Sequence, residues 1–154
     1  MGPARALRHE RRLWRLALGY APLVAGGAWL SVRYRVGAHA GGDPARDLAL
    51  RGTGLAPPLF LPVALLGATA VSGRPGAAGA VGTAAAGCVG LAFLAGSTLN
   101  LANDVAAARG ADAPVVLTVG FAAFHWVFGP ALVVSAWQGL RRRRADGKGW
   151  TWHS

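Results

Sequence analysis

Residues 115–140 read VVLTVGFAAFHWVFGPALVVSAWQGL, and Arg141 to Arg144 follow at once. A helix rises ~1.5 Å per residue, so this uncharged run is long enough to cross a hydrocarbon core of ~30 Å. A surface helix of a soluble domain alternates apolar and polar residues at its own period, and this stretch does not. The arginines stop it where a spanning helix would meet lipid headgroups.

Three further stretches of the same kind precede it. The spacing predicts an all-α, polytopic membrane protein with four transmembrane helices in an antiparallel bundle. Residues 1–154 form one integral membrane domain, with spans at about 16–32, 55–72, 78–105 and 115–137 and basic tails at 1–15 and 138–154. The tails and the link at 73–77 hold eleven basic residues. The segments on the opposite side hold five, namely Arg33, Arg35, Arg46, Arg51 and Arg109. Basic residues stay cytoplasmic on insertion, so both termini are expected in the cytoplasm. Trp14 and Trp137 at the inner boundary and Trp29 near the outer one agree with this. The expected location is the plasma membrane, the inner membrane in a bacterium.

The formal charge of +10 flanks apolar spans and is not interleaved with stacking aromatics on a folded surface. Anionic headgroups of the lipid bilayer are therefore the expected counter-charge, and nucleic acid is not an expected partner. Cys88 is the one cysteine, so it makes no internal disulfide and reads as a small packing residue. Residues 5–15, residues 16–32 and Ala38-His39-Ala40 have the order of a secretory leader. The apolar stretch is long for a leader, however, and Arg33 and Arg35 interrupt the approach to the cleavage motif. The first span is expected to remain attached.

Pro22 and Gly26-Gly27 predict a bend in the first span. Pro57-Pro58 suits the start of the second, and Ser72-Gly73-Arg74-Pro75-Gly76 closes it with a turn. Residues 33–54 form the only sizeable loop. Within it, Gly41-Gly42-Asp43-Pro44 is a turn, and Ala45 to Arg51 suit one or two helical turns. Asp43 and Asp47 are expected in water.

The third and fourth spans read as a tight hairpin. Arg109-Gly110 suits a helix end, with Gly110 in the left-handed position, and Asp112-Ala113-Pro114 suits the next helix start. The third helix is thus expected to continue to Arg109. Facing residues then have numbers summing to about 222, which levels Asp104 with Thr118 and Ser97 with His125. At 100° per residue, Gly79, Gly82, Ala86, Gly90, Ser97, Asn100 and Asp104 share a face of the third helix. Thr118, His125 and Gly129 share a face of the fourth.

The small members, Gly79, Gly82, Ala86, Gly90 and Gly129, are candidate packing positions because they let backbones approach. The polar members define a candidate ligand-binding notch opening outward, lined by Ser97, Asn100, Asn103, Asp104, Thr118 and His125. His125 is expected as a neutral imidazole bonded to Ser97 or Asn100. An ionisable group within a span is a candidate for function because a neutral residue would be cheaper there.

Familiar chemistry is missing. His125 is the only histidine within a span, where a membrane haem usually needs two. No HxxxH or CxxC spacing suggests a metal, and no GxSxG or Ser-x-x-Lys suggests a nucleophile. No cofactor, metal or catalytic site is expected. The favoured expectation is an accessory or structural membrane protein that packs with a second copy or another membrane protein. The alternatives are a small-solute or proton-linked binding or transport module using the notch, and a membrane enzyme on a lipid or quinone-like substrate with His125 and Asp104 as acid–base groups.

Overall fold

The computed structural model describes residues 6–145, with backbone alone for 6–10. Those residues form six helices and no strand: α1 Ala6–Tyr34, α2 Pro44–Leu50, α3 Phe60–Ser72, α4 Gly76–Leu99, α5 Leu101–Gly110 and α6 Val115–Ala145. The predicted tail positions at 1–5 and 146–154, with Arg5 and Lys148 among them, lie outside the described residues. Arg141 to Arg144 belong to α6 itself. Two helices, α4 with 24 residues and α6 with 31, are long and apolar enough to cross a membrane.

These two form the centre of the molecule, antiparallel and in close contact. A side chain at Gly90 would strike the Gly129 carbonyl, and one at Gly129 would strike the Gly90 carbonyl, at 2.8 and 2.7 Å. Gly90 also faces Leu132, and Gly79 faces Arg143, so the register runs as the sum of about 222 requires. The small stripe on α4 is nevertheless shared between two neighbours. Gly82 packs on the backbone of α3 at Ala68 and Ser72, not on α6, while Ala86 is fully buried in the core between them. Tight approach explains why the glycine positions lack side chains.

At the end of the bundle near the Ser72–Gly76 turn, Arg143 donates to the carbonyls of Ser72 and Arg74. These bonds satisfy the Ser72 carbonyl at the end of α3 and the Arg74 carbonyl in the turn to α4. α1 supplies Leu13, Ala17, Tyr20 and Val24 to the core, where they meet Leu65 of α3, Phe93 of α4 and Leu132 of α6. Pro22 and Pro130 both lie inside unbroken helices.

Several expectations need correction at the opposite end, which carries α2 and α5. The second apolar stretch is helical only over its 13 residues from Phe60, about 20 Å at the helical rise. Residues 52–57 instead form a buried turn, pinned by a Thr53–Ala56 bridge and entered through Gly52 at φ 78°. Pro57 and Pro58 lack the donors a continuing helix needs. The third helix does not run to Arg109 without interruption. It stops at Leu99, and α5 restarts after Asn100. One turn earlier, Ser97 and Thr98 both bond back to the carbonyl of Leu94, and such bonds compete with the helical ladder.

Asp47 is buried and not solvated. Its Oδ2 accepts from the backbone N–H of Ala38 at 2.8 Å and ties α2 to the chain leaving α1. The left-handed residue after α5 is Asp112, at φ 51°, and not Gly110. The N–H of Ala113 reaches the carbonyl of Ala108 at 2.9 Å, which closes the helix as a Schellman turn. Many outward faces of the long helices are apolar, with Val116 and Val127 each 73% exposed.

Candidate functional site

Between α4, α5, α6 and the buried turn lies a cavity of about 320 Å³. α4 contributes Ser97 and the α4–α5 break contributes Asn100. α5 contributes Asp104, and α6 contributes Thr118 and His125. Of the six residues grouped from helical phase, Asn103 alone is not in the lining; it is exposed on α5. The opposite wall is the chain from Arg51 to Pro58, which helical periodicity could not have placed there. Gly54 sits so close to the Asp104 backbone that a side chain would meet its carbonyl at 3.1 Å. The turn is held from below as well. Ser31 donates to the Gly27 carbonyl at 2.8 Å, so Thr53 must donate in the 2.6 Å bond between the two hydroxyls.

His125 sits at the cavity floor and is 2% exposed. Its Nδ1 lies 2.8 Å from the carbonyl of Phe121, a group that can only accept, so Nδ1 carries the hydrogen. Nε2 is then a bare acceptor in the neutral ring, and the Tyr20 hydroxyl donates to it across 2.6 Å. The expected bond to Ser97 or Asn100 is not made. Ser97 instead donates to the Phe93 carbonyl at 2.7 Å. Rings surround the pair, with Phe121 edge-on to His125 at 4.4 Å between centroids and Phe128 stacked on Tyr20 at 4.6 Å. These contacts lock both rotamers.

Tyr20 is the residue that sequence reasoning missed. It sits on the stripe Leu13, Ala17, Tyr20, Val24, which recurs at helical spacing. A phenol on a buried apolar stripe requires a polar partner, and His125 is the one histidine within the predicted spans.

Asp104 is half-buried at the cavity wall, and desolvation pushes its carboxyl up to about 6. The Thr118 hydroxyl is 1% exposed and has no hydrogen-bond partner among the described residues. Such a group is costly unless something in the cavity meets it. Arg51 and His39 lie exposed at the rim. No cluster of three or more potential metal ligands occurs among the described residues.

A second cavity, of about 370 Å³, lies between α1 and α6. Its lining, Pro22, Leu23, Gly26, Val116 and Gly120 among it, carries no ionisable group. Leu55 and Phe121 border it, and Phe121 also borders the polar cavity. No family model, curated protein or solved structure matches the chain.

Proposed function

We propose that this is an integral protein of the plasma membrane, a bacterial inner membrane protein, that binds a small solute in a polar cavity facing the cell exterior. α1, α3, α4 and α6 are the four spans in this reading, and both termini are cytoplasmic. α2, α5 and the turn at 52–57 sit above the hydrocarbon core as an outer cap. The excess of basic residues at the opposite end supports that orientation, and the arginines closing α6 meet anionic headgroups there. The short α3 suits the arrangement because the cap takes over the outer part of its path.

The observation that carries the binding reading is the cavity itself. Side chains from α4, α5 and α6 converge on it, and Thr118 lines it with a buried hydroxyl that has no partner among the described residues. Packing alone has no use for an unfilled polar space, since apolar residues would close it at lower cost. Its volume falls within the range of small-molecule sites, roughly 300–1,000 Å³. His125 and Tyr20 use their hydrogen bonds on each other and on Phe121, so they act as the clamp beneath the site. The accessory role is then one of sensing or delivering a solute to another membrane protein or a second copy.

A cavity-filling variant tests this. Gly96 lines the cavity, and a Cβ placed there has nothing within 4 Å. Gly96→Leu should fold and melt like wild type in lipid nanodiscs. A thermal-shift screen of small polar solutes should find compounds that stabilise wild type and not Gly96→Leu. Stabilisation that Gly96→Leu leaves intact, or none across the screen, would contradict the reading.

A further inference from the structure

We propose that the outer cavity takes a small organic ammonium ion, held by the Asp104 carboxylate beside the Ser97 oxygen and the rings of Phe93 and Phe121. This rests on the binding reading above and names the chemistry of the ligand.

In the buried turn, the Gly52 N–H is spent on the Asp47 carbonyl and the Thr53 N–H on the Ala56 carbonyl. The N–H groups of Leu55 and Ala56 both reach Thr53 Oγ1, and the Thr53 hydroxyl hydrogen goes to Ser31. Pro57 and Pro58 have no N–H at all. On α4 the Ser97 hydrogen goes to the Phe93 carbonyl, which leaves the oxygen of this lining residue as an acceptor. On the floor, His125 and Tyr20 have committed their hydrogens as well. Asn100 and Thr118 are the side chains of α4, α6 and their connection that still have a hydrogen to give, and in the turn the Gly54 N–H has no partner among the described residues.

The Ser97 oxygen thus remains open as an acceptor, and the one carboxylate among the lining residues, Asp104, is desolvated with no side-chain hydrogen bond among the described residues. A ligand rich in N–H hydrogens and carrying positive charge meets the carboxylate and the Ser97 oxygen, and the hydroxyl oxygen of Thr118 and the amide oxygen of Asn100 can accept from it. An anion would face the carboxylate. Phe93 and Phe121 add ring surfaces, which attract cations and suit an apolar body. Size argues for an organic ion. A water occupies ~30 Å³, so the cavity has room for about ten, far more than one bare alkali ion fills. Arg51 and His39 are the opposing charge and titratable group, and both are exposed at the rim, not within.

Calorimetry on the full chain in phosphatidylcholine nanodiscs at pH 7.5 tests this with benzylammonium, benzyl alcohol and benzoate, three probes of one shape. Benzylammonium should bind at least tenfold more tightly than benzyl alcohol, with benzoate weakest. Asp104→Asn should weaken benzylammonium at least tenfold and leave benzyl alcohol within twofold. Ser97→Ala, which keeps the charge, should weaken benzylammonium several-fold, and melting curves establish that both variants fold. Equal binding of the three probes, preference for benzoate, or an unaltered Asp104→Asn would overturn the ammonium assignment while cavity binding stands. An Asp104-dependent heat from sodium chloride alone, with none added by benzylammonium, would overturn it in favour of an inorganic cation. No heat from any probe overturns it too, and the solute screen with Gly96→Leu then decides the binding reading separately.

Discussion

The hydroxyl of Tyr20 on α1 and Nε2 of His125 on α6 meet at 2.6 Å, with a carbonyl on the far side of the imidazole fixing which nitrogen accepts. The bond ties the first helix to the α4–α6 hairpin at the floor of the cavity. Each group is 1–2% exposed, so neither finds water if the other is removed.

A double-mutant cycle measures that bond. Tyr20→Phe leaves Nε2 unpaired, and His125→Leu leaves the phenol unpaired; each should cost roughly 1–3 kcal/mol in a denaturation assay. The double variant should cost less than the sum by about 0.5–1.5 kcal/mol. His125→Gln should retain most stability because an amide oxygen can accept from Tyr20. Asn100→Leu should be additive with His125→Leu, since those two side chains do not bond. Additivity between Tyr20 and His125 would deny the contact.

Glycine substitutions read the helix contacts one by one. Gly27 on α1 abuts the Leu55 carbonyl of the buried turn, whereas a Cβ at neighbouring Gly26 has nothing within 4 Å. Gly27→Leu, Gly82→Leu and Gly90→Leu should each lower stability by about 1–3 kcal/mol, a usual overpacking cost. Gly26→Leu should leave the melting temperature nearly unchanged. Equal melting temperatures for Gly26→Leu and Gly27→Leu would mean that the turn does not pack against α1.

Asp104 predicts a pH dependence of fixed sign. Burial raises its carboxyl to about 6, above the ordinary value of 3.8 that holds when the chain unfolds. The folded state therefore binds the proton more readily, so this group destabilises the fold at neutral pH and the penalty fades as pH falls through about 6. Asp104→Asn should melt higher than wild type at pH 7.5, with the gap narrowing by pH 5. The other charged or titratable groups lining the cavity, Arg51, His39 and His125, are common to both proteins. A gap that is constant or widens on acidification would contradict the assigned burial.

The hairpin was legible because a tight turn fixes register and small residues at helical spacing mark the contact. Gly90 against Gly129 and Gly79 against Arg143 follow from that arithmetic, as does the gathering of Ser97, Asn100, Asp104, Thr118 and His125 at one end. The other wall was not legible. Residues 52–54 read as the end of a loop and 55–58 as a proline-rich helix start, and nothing in periodicity says that such a segment folds back into the bundle. Asp47 looked solvated for the same reason, since its partner is a backbone N–H that no pattern reveals. Tyr20 was missed because the hairpin was read in isolation from α1.

Substituted-cysteine labelling tests the central claim, a membrane bundle with an outward polar cavity, most directly. In intact cells carrying a Cys88→Ala background, a membrane-impermeant thiol reagent should label Ala45→Cys on α2, Ala106→Cys on α5 and Asn100→Cys in the cavity. Arg74→Cys and Ala145→Cys should be labelled only after permeabilisation, and Leu91→Cys, exposed on the outward face of α4, should resist in both cases. Labelling of Arg74→Cys from the exterior together with protection of Asn100→Cys until permeabilisation would invert the orientation and contradict the account.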